Sequence, residues 1–159
     1  ASDVYKRQDA GRSILTALEE KSGSAYDLAL LFCTLARAAG VPAIPTAGLL
    51  VGAEQKAVLH WWAEFYINGF GWVPADPALA SGVPLDTGIA DKGRWYFGNL
   101  DAYHIAFSRG YQTQTPLLPN GKTTEKARSY AFRSIWEEAT PNISGYSALW
   151  RTPKITGVC

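Results

Sequence analysis

Two aromatic and β-branched segments joined by a turn dipeptide constrain this chain more than any other feature: Val58 to Ile67, then Asn68-Gly69, then Gly71 to Pro74. Side chains of this kind favour a pleated strand, and Asn-Gly is the pair chosen where two successive residues need φ > 0, so the region is expected to fold as a β-hairpin. Alternation along the first strand puts His60, Trp62, Glu64 and Tyr66 on one face and Trp61, Ala63, Phe65 and Ile67 on the other. The returning strand runs into Ala75-Asp76-Pro77, which would bring Asp76 back beside His60. A carboxylate there can fix an imidazole's tautomer and favour its protonated form, the pairing of base and orienter in a nucleophilic hydrolase. A histidine on an aromatic strand can equally be a structural residue, and an Asp-Pro step a simple turn.

Upstream, Ser13 to Lys21 has an amphipathic pattern with Ile14, Leu15 and Leu18, compatible with a short helix. Ser24 followed by Asp27 resembles a capping box with Asp in place of Glu, and it opens the apolar run Leu28, Leu30, Leu31, Phe32 and Leu35. This helix is apolar on nearly all sides until Arg37 and is expected to be central and buried, ending at Gly40 and Pro42. Its first residue would face free backbone N–H groups and the positive end of the helix dipole, both of which stabilise a thiolate or an oxyanion. That position holds Ala25. Ser24, as the N-cap, turns its hydroxyl toward the helix's own N–H groups rather than toward a substrate.

The remaining pattern is consistent with one α+β domain. Ala43 to Val51 reads as a strand, Ala75 to Lys92 as a long surface loop over a site, and Arg94 to Phe97 and His104 to Ser108 as strands joined through Gly98 to Asp101. Asn120-Gly121 marks a turn, and Tyr130 to Glu137 is expected to be a strand. With 159 residues and 47% hydrophobic content the chain can bury one substantial core, assigned to 13–159, with 1–12 expected to be a non-native or disordered segment. Ser2 to Gln8 resembles the translated adapter remnants at the ends of some environmental sequence fragments, so the natural start is expected to lie elsewhere.

A net charge of +1 offers no field to attract nucleic acid or an anionic membrane, and neither is expected as a partner. No apolar run is long enough to span a bilayer and no signal-peptide core is visible, which favours a cytoplasmic placement, while an exported origin stays open because a targeting signal could lie upstream of this start. Cys33 sits inside an apolar helix pattern and Cys159 is the last residue, so neither a disulfide framework nor a thiol metal site is expected. The two histidines, His60 and His104, lack metal-ligand spacing; no metal or other cofactor is expected, and His104 is read as a strand or loop residue.

Taken in order, the blocks Gly23 to Ala29, Leu35 to Ala43, His60-Trp61-Trp62-Ala63-Glu64 and Gly71 to Pro77 resemble the transglutaminase-like superfamily of papain-fold cysteine enzymes. Tyr96 to Asp101 and Ile105 to Gly110 are similar to the downstream part of bacterial members. The resemblance implies a central helix packed on an antiparallel sheet, with a catalytic cysteine at the position of Ala25 and with His60 and Asp76 as histidine and aspartate. It implies a cysteine protease or amidase, or a transamidase, acting on peptide or side-chain amide bonds of a peptide or protein substrate. Ser24, Tyr26, Trp62 and Glu64 would wall or support the site. Ala25 departs from the pattern and predicts a chain that is inactive as written. An engineered Cys-to-Ala replacement is the favoured explanation, and a natural pseudoenzyme that holds a peptide is the alternative.

Overall fold

A computed structural model describes residues 14–52, 57–85 and 88–110, together with the backbone of 122–123 and 138–139 and with Thr156. Helix α1 (Ile14–Glu20) leads into α2 (Ala25–Ala38), and three strands follow: β1 (Ala43–Val51), β2 (Ala57–Ile67) and β3 (Gly71–Ala75). Two single-turn helices, α3 (Pro77–Ala80) and α4 (Lys92–Trp95), precede β4 (His104–Arg109); β5 (Lys122–Thr123) and β6 (Glu138–Ala139) pair separately. The main sheet has the order β3-β2-β1-β4, and every pairing in it is antiparallel. This is the α+β arrangement the sequence pattern predicts.

The Ser24–Asp27 box starts α2 as expected: Ser24 Oγ accepts from Asp27 N–H at 3.3 Å, and the Asp27 carboxylate accepts from Ser24 N–H at 2.8 Å and from its hydroxyl at 2.9 Å. Gly23 is needed beside it, because a Cβ there would come within 2.9 Å of Asp27 Cβ. From this start α2 packs across one face of β2. Ala29 meets Trp61, Leu59 and Ala47, and Cys33 meets Ala63 and Phe65 with Ala43 and Ala75. Tyr26 sets its ring edge on Trp61 at 5.7 Å, and Phe32 tilts against Phe65 at 5.8 Å. Burying a large apolar side chain of this kind contributes roughly 1.5–3 kcal/mol.

His60 and Trp62 turn to the other face, stacked on each other at 6.3 Å. There β1 comes close to β4. A side chain on Gly48, which pairs with His60, would meet Ile105 O at 2.0 Å and the Trp62 ring at 2.8 Å, so only a glycine fits. The β1–β4 register shifts at this point, between Ala47 and Gly48.

Three local expectations are corrected. The hairpin exists, but Asn68 is not at φ > 0; Gly69 (φ 86) and Gly71 (φ 95) are. The reason is loop length: three residues, 68–70, separate the paired Ile67 and Gly71, so the two-residue turn with both centres left-handed is not used. Arg94 to Phe97 is not a strand. Asp91 caps α4 by accepting from Arg94 N–H, which commits 92–95 to a helical turn, and Phe97 makes only an isolated bridge to Ala75. The segment from Ala75 to Lys92 is not all loop, since Asp76 caps α3 within it. The strand expected at Tyr130–Glu137, the turn at Asn120-Gly121 and the segment 1–12 lie outside the described residues.

A candidate hydrolase site centred on His60 and Asp76

Both histidines converge on Asp76. It follows β3 and is the N-cap of α3, so its carboxylate Oδ1 accepts the N–H groups of Ala78 and Leu79, both at 2.9 Å. Pro77, at the first helical position, has no N–H to satisfy, which lets a single residue close this helix start. The other oxygen, Oδ2, lies 2.6 Å from His60 Nε2 and 3.0 Å from His104 Nε2. A carboxylate offers about four acceptor sites, and here all four are used. Asp76 and His60 are both fully buried. Burial alone pushes the Asp76 carboxyl up, but the bonds from His104 and His60, with the Leu79 N–H, outweigh it and hold it down at about 2.

His60 therefore gives its Nε2–H to an ionised carboxylate, which leaves Nδ1 as its basic atom. That nitrogen is buried and has no hydrogen-bond partner among the described residues. An imidazole held by one nitrogen with the other bare is arranged to take a proton from whatever approaches it. The structure thus brings His60 and Asp76 into contact. Ala25, the first residue of α2, is buried and presents a methyl group, on a helix whose body packs against the opposite face of β2. The hydroxyl of Ser24 is engaged with Asp27.

Trp62 is buried against both imidazoles, edge-to-face with His104 at 5.2 Å. Glu64 accepts from Thr46 Oγ1 at 3.1 Å and from Arg109 Nε at 2.7 Å, which ties β1, β2 and β4 together. Arg109 also lies over the Trp72 ring at 5.3 Å. Tyr26 packs on Trp61, on the α2 side of the sheet.

The sequence reading did not anticipate the part played by His104. From the start of β4 it reaches Asp76 through Nε2 and Asp101 Oδ1 through Nδ1 at 2.8 Å, and Asp101 in turn accepts from the Tyr96 hydroxyl at 2.5 Å. Burial works against a charge on His104, and the bonds to Asp76 and Asp101 outweigh it, so the group titrates above its ordinary value. The spacing of Asp101 three residues before His104 was the only local signal. His60, Asp76 and His104 bring one ligand atom each within 4.8 Å, a set that could hold a metal ion. Two ligands on one tetrahedral zinc stand about 3.3 Å apart, since each bond is about 2.0–2.1 Å. The 2.6 Å separation of His60 Nε2 and Asp76 Oδ2 is instead that of a direct hydrogen bond.

A cavity of about 720 Å³ opens beside α4, lined by residues including Asp91, Arg94, Trp95 and Phe97, but not by His60 or Asp76. Among the described residues no helix is long and apolar enough to cross a membrane.

A capped helix laid on an antiparallel sheet whose second and third strands deliver a buried His–Asp pair is the architecture of a transglutaminase-like core. Residues 2–77 match the family model described as the transglutaminase-like superfamily. The chain is also similar to an uncharacterized protein of Haemophilus influenzae, at 32% identity over 54% of this chain and 31% of the relative. It spans about a third of that relative's length. No solved structure matches the chain.

Proposed function

We propose that this fold is the core of a thiol hydrolase acting on peptide or side-chain amide bonds, in which a cysteine at position 25 is the nucleophile, His60 the base and acid, and Asp76 its orienter. The observation that supports this most directly is His60 itself: buried, bonded to an ionised Asp76 through Nε2, and with Nδ1 unpartnered. In this reading the sulfur at position 25 supplies the partner that Nδ1 lacks. Thiolate would attack the amide carbonyl, His60 would pass its proton to the leaving amine, and water would release the acyl group from the thioester. The start of α2, whose Ser24 cap leaves backbone N–H groups at the helix end, would steady the thiolate and the oxyanion. Transfer to an amine instead of water would give transamidation.

With Ala25 the chain has no such nucleophile. A replaced cysteine would account for one lost atom in a chain whose His–Asp pair keeps its hydrogen bond. Ala25 also favours a second reading, a natural pseudoenzyme that keeps the groove to hold a peptide. Ala25→Cys separates the two. Under the first reading the new thiol is alkylated at near-neutral pH at least about tenfold faster than the unmodified chain's own cysteines, and His60→Ala removes the gain. Cys33 is a quiet background, because burial pushes its thiol up to about 11 against the lowering effect of Arg37. Labelling no faster than that of the unmodified chain would sink the hydrolase reading.

A further inference from the structure

Any influence on His60 that passes through Asp76 is shared, because Oδ2 receives two imidazoles and not one. The second, His104, has only 2% of its side chain exposed and lies between two carboxylates, Asp76 at 3.0 Å and Asp101 at 2.8 Å. A neutral imidazole has a single N–H, so one of those contacts would set a nitrogen lone pair against an oxygen lone pair. Asp101 accepts on both oxygens as an ionised carboxylate does, from the Tyr103 N–H at 3.0 Å on Oδ1 and from the Tyr96 hydroxyl on Oδ2. Both contacts are satisfied only when both nitrogens of His104 carry hydrogen.

We propose that His104 is a positioning residue for the His60–Asp76 pair: by donating to the same carboxylate oxygen as His60, it locks that oxygen in place and takes up part of its charge. The inference rests on the hydrolase reading for its purpose, but its physical content concerns the two histidines alone. The groups facing His104 are few among the described residues. Asp76 comes from the start of α3, His60 and the Trp62 ring from β2, and Asp101 from the segment before β4, backed by the Tyr96 hydroxyl. The two carboxylates and the His104 cation leave one net negative charge to act on His60. Remove the cation and that charge doubles, which favours a proton on His60 more strongly. His104 thereby sets how readily His60 releases the proton it has taken, which is the property a base that must later act as an acid needs tuned.

The sequence makes this testable in the chain as it stands, because it contains only two histidines. Nitrogen NMR of the imidazoles should show both His104 nitrogens protonated through neutral pH, with deprotonation above the ordinary histidine value of about 6.5. In His104→Gln the amide can still donate toward Asp76 without a charge, and the one imidazole left should titrate higher than it does in the parent chain. His104→Asn, which keeps the reach toward Asp101 and gives up the bond to Asp76, should shift that titration in the same direction. An unmoved midpoint in the folded variants overturns the proposal. So does a His104 that titrates at the ordinary value in the unmodified chain, which decides the matter even if neither variant folds. Failure of Ala25→Cys to label would strike the hydrolase reading and leave these titrations as they are.

Discussion

The two faces of β2 are one residue apart in sequence, and only one of them adds a buried polar network to its apolar packing. On the α2 side Leu59, Trp61, Ala63 and Phe65 meet only apolar partners, and what matters is that the space is filled. On the other side His60 meets Asp76, and Asp76 meets His104 and two backbone amides, so what matters is that every donor finds an acceptor. The first face tolerates any set of groups of about the right shape. The second tolerates no loss, because a buried charge stripped of its partners costs several kcal/mol. One atom breaks the pattern on the polar face, His60 Nδ1, and a site is where such an exception is expected.

This contrast can be broken most severely from the apolar side. Trp61→Ala opens a cavity under α2 and is expected to cost about 3–5 kcal/mol, measured by denaturant unfolding. Asp76→Asn keeps nearly the same shape but turns a four-fold acceptor into a group with only one oxygen. A loss of about 2–3 kcal/mol should follow, although no volume changes. A comparable loss from an isosteric change is what separates the two faces, and a cost under about 0.5 kcal/mol would show that the polar face is not held by its hydrogen bonds.

Acid should read the same feature without mutation. The Asp76 carboxyl is depressed from an unfolded value near 3.8 to about 2, so its contribution is fully present above the unfolded value and disappears as pH falls toward 2. Between pH about 5 and 2 the chain should lose about 2 kcal/mol through this group, and Asp76→Asn should flatten that part of the stability curve. The smallest effect is expected at the start of α2. Ser24→Ala removes the capping hydroxyl that Asp27 uses and should cost about 1 kcal/mol, with the His60–Asp76 pair unaffected, as the imidazole NMR signals would report.

Much of this was legible in the order of residues. The capping box at Ser24–Asp27, the alternation along β2 and the turn at Asn68-Gly69 are local signals, and each is set by forces acting within a few residues. The hairpin then required Asp76 to return beside His60, so one long-range contact could be read from a short-range turn. The short helices were not so legible. Asp76 and Asp91 cap single turns that have too few residues to show a period, so the segment before α4 was taken for loop and α4 itself for strand.

His104 marks the boundary between the two kinds of knowledge. The sequence by itself determined β1 to β4, the central helix and the His60–Asp76 pair, since these follow from local geometry and a single tight turn. Only the tertiary structure decided that β4 lies beside β1 and so sets His104 on the oxygen that His60 uses. Nothing in the spacing of two distant histidines encodes that meeting. It comes from the order in which strands pair in a sheet, a choice made by the burial of whole faces and not by any residue along the chain.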